Sequence, residues 1–380
     1  MLERTETYRD RIRGEVLMPW GVSAAQDLGI YDLLTSTCAV SLEHWSRYFP
    51  GGKLLQQREL VSSNPYALPL LCFQHEVMQQ TLADEVDNSQ AKFIRGATVE
   101  YVEGQTVTYR HQGGTKNVTA RLIVGADGRQ SKIAAEAGLV RQSNPLGMSM
   151  AGLLMAGLLM EGLDVAEGAS HFIVDSQHGR LVSIFPMAEN TYRVYFAFND
   201  AEVDALSGNK QISSFLNHCV QTGLSGQWIE SAEAIMPLGT FSATSSWVEQ
   251  TPRAGLTLIG DAAGISDPIW GCGLALALWD VRALSQALTS TEAEYWDAAA
   301  EAYYAQHLIH YSSIQNLESW MTELFLSLTP KAIQARAHAM PILAKQRNRS
   351  PDIVGLGPDN ASDPVARARF YCEDVSTGNS

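Results

Sequence analysis

The sequence is short of charge, of paired cysteines and of long apolar runs. Charged residues make up 18% of the 380 residues and hydrophobic residues 46%, a composition that excludes disorder, collagen and coiled coils for most of the chain. The five cysteines are widely spread and include no C-x-x-C pair, so no disulfide framework is expected and a cytoplasmic location fits best. The 27 basic and 41 acidic residues give a net charge of −14, which repels phosphate backbones. Nucleic acid is therefore not an expected partner.

The longest charge-free stretch is too short to predict a membrane span. Residues 148–160 are apolar except for Ser149 and contain a tandem Met-Ala-Gly-Leu-Leu repeat, whereas a spanning helix needs about 20 residues. We interpret the stretch as a buried strand. Because the repeat length of five is odd, we expect a bulge or a kinked helix near Gly152 or Gly157. The charged first residues give no export signal.

Two stretches far apart in the sequence follow the order strand, tight turn, helix. Residues 120–128 read as a buried strand ending in a Gly-Ala-Asp-Gly turn. Residues 255–264 read as a second buried strand ending in Gly-Asp-Ala-Ala-Gly, and a turn through Pro268 leads into a helix from about Leu274 to about Leu288. Continuous apolar strands of this kind are typical of parallel sheets.

The remaining pattern predicts an inserted sheet and a helical end. Residues 170–199 alternate as antiparallel strands do, separated by turn residues. After Thr289 the pattern is helical to about Gln346, and residues 347–380 are rich in Ser, Asn, Asp and Pro. His307 and His310 lack the further ligands that zinc requires, so no metal site is expected and both are predicted to lie on a helix surface.

The two turns together resemble the downstream motifs of the FAD-dependent aromatic hydroxylases, the single-component flavin monooxygenases similar to para-hydroxybenzoate hydroxylase. The resemblance implies an α/β fold: a glutathione-reductase-like, Rossmann-type three-layer FAD-binding domain, an inserted mainly antiparallel substrate domain, and a C-terminal helical region. The predicted divisions are FAD binding at 1–40, 72–147 and 244–290; substrate binding at 41–71 and 148–243; C-terminal helices at 291–346; and a loosely ordered tail at 347–380.

One motif of that family does not occur near the start of the sequence, the Gly-x-Gly-x-x-Gly turn that holds the diphosphate. The first residues resemble the end of the strand that follows this turn in relatives, so the first strand and helix of the domain are expected to be missing. Glu3 would then accept hydrogen bonds from the ribose hydroxyls. The sequence leaves open a wrongly assigned start or a natural truncation, and either leads us to expect weak FAD retention.

The second motif supplies most of the expected flavin contacts. By resemblance, Asp261 binds the ribityl chain, and Pro268 borders the reactive side of the ring. Gly271 and Gly273 allow the backbone to approach the ring. Leu274 opens a helix whose positive end would favour the reduced, anionic flavin.

Further cofactor contacts are implied elsewhere in the chain. Asp127 and Gly128 match the family's Asp-Gly motif, associated with both FAD and NAD(P)H, although an Asp that only stabilises its turn is the alternative.

Three more candidates precede that motif. Arg13, rather than Arg11, is favoured as the arginine near the flavin, with a solvated helix charge as the alternative. Gln74 or His75 occupies a position that contacts the cofactor in relatives, and Val99 resembles the residue whose backbone meets adenine.

The implied activity is oxygenation of a small organic substrate, aromatic or polycyclic, with NAD(P)H, FAD and dioxygen, through a flavin hydroperoxide. No catalytic base is identified. The alternatives are a halogenase or prenyl reductase of the same fold, or a truncated, cofactor-free binding protein. The sequence does not indicate the substrate, the choice of NADH or NADPH, or the oligomeric state.

Overall fold

Parallel strand pairs and one large, mainly antiparallel sheet organise the chain. The computed structural model describes residues 1–10, 12, 14–50, 53–144, 147–158, 168–188, 190–199, 206–249 and 252–373.

The helices of this part of the chain are α1 Pro19–Asp27, α2 Tyr31–Thr37, α3 His75–Asn88, α4 Lys132–Glu136, α5 Ile212–Thr222, α6 Gly226–Ile229, α7 Gly273–Thr289, α8 Trp296–Leu326, α9 Pro330–Leu343 and α10 Pro364–Tyr371. The strands are β1 Leu2–Glu3, β2 Val16–Leu17, β3 Ala39–Leu42, β4 His44–Tyr48, β5 Leu54–Glu59, β6 Leu70–Phe73, β7 Ile94–Arg95, β8 Thr98–Glu103, β9 Thr106–His111, β10 Gly114–Thr119, β11 Ile123–Gly125, β12 Arg141–Asn144, β13 Met148–Ala156, β14 Ala169–Asp175, β15 Arg180–Ala188, β16 Thr191–Asn199, β17 Glu233–Ala234, β18 Gly239–Ser242, β19 Ser245–Val248, β20 Leu256–Leu258 and β21 Gly264–Ile265.

The two strand-turn-helix motifs lie side by side. β11 and β20 pair in parallel, with Ile123 opposite Leu256 and Gly125 opposite Leu258. Both strands therefore end at the same edge, and their turns face one another there. β1 and β7 form a second parallel pair. The predicted α/β architecture, with an inserted mainly antiparallel sheet and a C-terminal helical region, is confirmed.

The large sheet has the strand order β17-β13-β16-β15-β14-β4-β5, with β18 also paired to β13. All its pairings are antiparallel except that of β14 with β4. One face packs a core that includes Phe196 and, from α5, Phe215. Both stretches of the sheet fall within the segments predicted for substrate binding, and the division into domains stays a prediction.

The tandem repeat forms a regular strand as far as Ala156, so the bulge or kinked helix expected near Gly152 or Gly157 does not occur at Gly152, and the end of the repeat lies outside the described residues. β13 pairs with β16 without a register shift from Met148 to Ala156. The strand ends before Gly157, which has a φ of +75°. Both faces of β13 are buried, so the change of face that an odd repeat imposes exposes no apolar side chain.

The C-terminal part differs from its prediction in two ways. Residues 347–373 are packed rather than loose, because Ile353, Val354 and Phe370 are buried apolar anchors within a polar sequence. The Trp20 indole N–H donates to the Ile353 carbonyl at 3.1 Å and ties this segment to α1. His307 is 3% exposed, so its predicted surface position was wrong. No helix in the described ranges is long and apolar enough to cross a membrane.

Candidate functional site

A cavity of about 1310 Å³ lies between the large sheet, the two motif turns, α7 and the C-terminal segment. A pocket for one small molecule is about 300–1,000 Å³, so this cavity has room for a cofactor and a substrate together. Six of the residues predicted to bind the cofactor line it: Gly128, Asp261, Pro268, Gly271, Gly273 and Leu274.

The turn after β20 is held by a buried network. The Gly260 N–H donates to Asp280 Oδ2 at 2.8 Å, and Asp280 Oδ1 lies 2.9 Å from His307 Nδ1. The two partners come from α7 and α8, so both helices fix this turn. Asp261 is left on the cavity wall with its side chain 35% exposed, and its carboxylate is available to accept hydrogen bonds from a ligand.

The amino end of α7 opens onto the same wall. Gly271 has a φ of +72°, a conformation that favours glycine, and a Cβ there would lie 3.2 Å from Met18 Cε. No side chain of the described residues caps α7, a 17-residue helix. Its first N–H groups therefore have no capping side chain there, and the positive end of the helix dipole lies at the cavity residues Gly273 and Leu274.

Of the two residues predicted from the first motif, Gly128 lies at the cavity and Asp127 does not. Asp127 accepts hydrogen bonds from the Ser131 hydroxyl at 2.5 Å and from the Lys132 N–H at 2.6 Å. Its carboxylate therefore caps α4 instead of reaching the cavity. Gly128 lies at the cavity with a φ of +80° and open space beside it. The adjacent Arg129 places a buried Nε without a hydrogen-bond partner in the described chain at 3.6 Å from Asp261 Oδ2.

These groups fit a flavin dinucleotide. The Asp261 carboxylate suits the hydroxyls of a ribityl chain, and the uncapped α7 amides suit the electron-rich edge of the ring. The Nε of Arg129, which has an ion pair with Asp261 but no hydrogen bond among the described residues, is a further possible donor to a ligand. A polar wall of this composition, facing an apolar one, is the arrangement that a flavin and an organic substrate require.

Three other predicted cofactor residues, Glu3, Gln74 and Val99, are not among the residues that line the cavity. Glu3 ends β1 and accepts the Thr5 N–H at 2.6 Å. Gln74 precedes α3, while the alternative, His75, lines the cavity. Val99 lies on β8 beside a register shift. Arg13 and Arg11 are outside the described residues.

Two buried carboxyl groups lie behind the turn at Pro268. The Asp267 N–H donates to Glu318 Oε2 at 2.8 Å, and the Thr322 hydroxyl donates to Asp267 Oδ2 at 3.2 Å. Burial raises the pKa of Asp267 to about 7 and raises the pKa of Glu318 well above its usual range. The Trp270 indole donates to the Thr322 hydroxyl at 2.8 Å, so α8 holds the Pro268–Trp270 turn in place.

Sequence reasoning missed a buried polar cluster that borders the cavity. Glu15 and Arg193 are each 1% exposed, and Arg193 Nη2 donates to Glu15 at 2.7 Å and to Asp10 at 2.7 Å. The Tyr195 hydroxyl also donates to Glu15, and Glu15 and Tyr195 line the cavity. Burial raises the pKa of Glu15, against the opposing effect of Arg193. An arginine inside an apolar alternating strand was the available signal.

The chain belongs to the FAD binding domain family, whose model matches residues 1–306. Among curated proteins, it is 28% identical over 235 residues to digeranylgeranylglycerophospholipid reductase 2 of Methanopyrus kandleri, an alignment that covers 61% of this chain and 56% of that protein. The chain therefore spans a little over half the length of that relative.

Solved structures share the fold at lower identity. PqsL of Pseudomonas aeruginosa in complex with 2-aminobenzoylacetate superposes with a TM-score of 0.71 at 18% identity, covering 86% of this chain and 89% of PqsL. HpxO of Klebsiella pneumoniae, in complex with FAD and uric acid, superposes with a TM-score of 0.73 at 17% identity, covering 94% and 89%. At these identities the likeness concerns the fold, which is the one expected for the FAD binding domain family.

Proposed function

We propose that this protein is a flavin-dependent monooxygenase that uses NAD(P)H and dioxygen to oxygenate a bulky, largely apolar organic substrate. The observation that carries the proposal is that the motif turns and the large sheet form two walls of one and the same cavity. A ring held by the turns and a substrate held by the sheet would share one enclosed space. Bound FAD would supply the acceptance of hydride and the activation of dioxygen.

The residues of the chain would orient and shield the cofactor. Asp261 would accept hydrogen bonds from the ribityl hydroxyls, and the amides of Gly273 and Leu274 would stabilise negative charge on the ring. The facing wall includes Phe172 and Phe185, which would exclude water and favour an apolar substrate.

A reductase of carbon-carbon double bonds is the second candidate, because the curated relative in Methanopyrus kandleri is a digeranylgeranylglycerophospholipid reductase. Such a reaction needs a proton for carbon as well as a hydride. Tyr195, whose hydroxyl donates to Glu15 at the cavity wall, is the proton source that we infer for that case. Burial raises the pKa of Tyr195 well above its usual range, so the hydroxyl is protonated at neutral pH but is a weaker acid than an exposed tyrosine.

Reconstitution with FAD tests the proposal. The purified chain is titrated with FAD, and NAD(P)H oxidation is then followed with candidate substrates under isotopically labelled dioxygen. Labelled oxygen in the product supports the monooxygenase. Saturation of a double bond in the absence of oxygen would instead support the reductase. A chain that takes up no FAD would refute both enzyme proposals and leave the cofactor-free binding protein. Asp261→Asn should weaken FAD binding, whereas Asp84→Asn, at a side chain 59% exposed, is the matched control.

A further inference from the structure

Four arginines line the cavity without a carboxylate partner in the described part of the chain. They are Arg47 on β4, Arg347 and Arg349 after α9, and Arg369 on α10. The chain as a whole carries a net charge of −14, so this concentration of unpaired positive charge runs against its composition.

The carboxylates of the same region are already engaged. Arg58 donates to both oxygens of Asp352, at 2.6 and 2.8 Å. The Tyr66 hydroxyl donates to Asp359 at 3.0 Å, and Asp363 caps α10 through a backbone N–H at 2.8 Å. Within the described ranges, none of these three carboxylates forms an ion pair with any of the four arginines, and Asp352 pairs with Arg58 instead.

The four arginines divide into two kinds. Arg349 donates to Gln346 at 2.6 Å, and Arg369 donates to the Asn348 carbonyl at 2.8 Å, so these two brace the C-terminal segment. The side chains of Arg47 and Arg347 form no hydrogen bond or ion pair within the described ranges, although the Arg47 guanidinium lies over the Phe325 ring, 5.8 Å from its centre. Burial, and then the nearby charge of Arg347, lowers the pKa of Arg47. Both side chains line the cavity, and two like charges at one cavity favour an anion between them.

The register of the large sheet links Arg47 to the buried polar cluster. Tyr195 pairs with Ser183, Ser183 with Phe172, and Phe172 with Arg47. All four line the cavity, so they form one row across β16, β15, β14 and β4. Three strand spacings separate Tyr195 from Arg47, about 14 Å.

The cavity surface beside this row of residues is apolar, and we call it the floor of the cavity. Trp45 stacks on Phe172 with ring centroids 3.8 Å apart, and Phe172 meets Phe185 edge to face at 5.4 Å. Leu181 and Val174 line the same wall. A ligand that reaches from Tyr195 to Arg47 therefore crosses apolar surface and ends at positive charge.

We propose that the cavity binds an amphiphilic anion, with its apolar body along this floor and a carboxylate or phosphate head between Arg47 and Arg347. The inference rests on the proposed function only for the fate of the apolar end, which would lie beside the flavin. Head-group binding itself needs no cofactor and no turnover.

Calorimetric titration of the purified full chain tests the site, with probes kept below their micelle-forming concentrations. Dodecyl phosphate and dodecanoate should bind more tightly than dodecyltrimethylammonium, by about tenfold or more. The tighter of the two anions identifies the preferred head group. Inorganic phosphate should bind more weakly than dodecyl phosphate, because it buries no apolar surface.

Variants assign the effect to the two arginines. Arg47→Gln and Arg347→Gln should each weaken dodecyl phosphate binding by about tenfold, since each removes a charge-assisted hydrogen bond. Arg110→Gln is the matched control, because Arg110 is 63% exposed on β9. Arg347 is exposed, so its replacement leaves the fold intact even if replacement of Arg47 does not.

Two results would overturn the proposal. Equal affinity for the cationic and anionic amphiphiles would show that charge does not contribute to binding. Losses at Arg47 and Arg347 no larger than at Arg110 would remove the role of these residues. Because binding is measured without FAD, neither result depends on whether the protein is a monooxygenase.

Discussion

Replacing Arg193 with methionine should destabilise the protein by about 3–5 kcal/mol, the cost of breaking a buried ion pair by removing one partner. Arg193 donates to Glu15 through Nε at 3.0 Å and through Nη2 at 2.7 Å, and it also reaches Asp10 at 2.7 Å. Without the guanidinium, two buried carboxylates would face each other uncompensated. A typical domain is stable by only about 5–15 kcal/mol, so the loss is a large share of the total.

The loss should also depend on pH. With Arg193 gone, the lowering effect on the pKa of Glu15 disappears and burial acts alone, so the folded pKa rises further above the unfolded value. The unfolded state then binds fewer protons than the folded state, and stability falls as pH rises. The variant should therefore be less destabilised at pH 5 than at pH 8.

Urea unfolding at both pH values measures this effect, with Arg110→Met as the matched control. Arg110 Nε lies 3.7 Å from Glu100 at a site 63% exposed, so its replacement should cost less than about 1 kcal/mol. The double variant Glu15→Gln, Arg193→Met should recover part of the loss. If Arg193→Met costs no more than Arg110→Met at pH 8, the buried cluster does not stabilise the fold as described.

Three further changes test other parts of the structure. The pKa of the Asp267 carboxyl is raised to about 7 in the folded protein, so its contribution to stability is largest at low pH and is lost as pH rises. Asp267→Asn removes this contribution. The decrease in unfolding free energy between about pH 4 and pH 7 should therefore be smaller in the variant, by up to roughly 4 kcal/mol. Gly357→Ala should destabilise by about 1–3 kcal/mol, because its Cβ would lie 2.5 Å from the Trp20 ring. Asp261→Asn should weaken FAD binding by about tenfold through loss of a charged acceptor, measured by flavin fluorescence.

Each of these has its own check. The Asp267 variant is compared with the parent chain as a difference in slope, because His171, with a pKa lowered to about 4 by burial, acts in the opposite direction. Gly104→Ala, at a φ of +58° with nothing within 4 Å, isolates backbone strain from the clash at Gly357. An equal loss at both glycines would contradict packing of the C-terminal segment. FAD affinity unchanged in Asp261→Asn would contradict the ribityl contact.

The sequence predicted those parts of the site that local pattern determines. A buried strand followed by a glycine turn and a helix marks Gly128, Asp261 and Gly273 wherever it occurs, and the pairing of β11 with β20 brings these turns to one cavity. Alternating residues likewise predicted the antiparallel strands, because period two reflects two faces of one sheet.

Long-range partners escaped prediction because nothing local specifies them. Glu15 and Arg193 are 178 residues apart, and only the folded sheet brings them together. The Asp127 carboxylate caps the nearby helix α4 and does not contact the cavity. The polar C-terminal segment was misjudged because average composition hides a few apolar anchors such as Phe370.

Helix α8 has a consequence for biosynthesis. Its Tyr303, Tyr311 and Thr322 side chains bond to Leu258, to Ser246 and to the Trp270 indole, contacts that span 45 to 65 residues of sequence. The cavity wall therefore cannot reach its final form until the ribosome has released most of the C-terminal third. Until then the nascent chain should expose this apolar surface. We therefore expect the chain to need chaperones most during the last part of its synthesis.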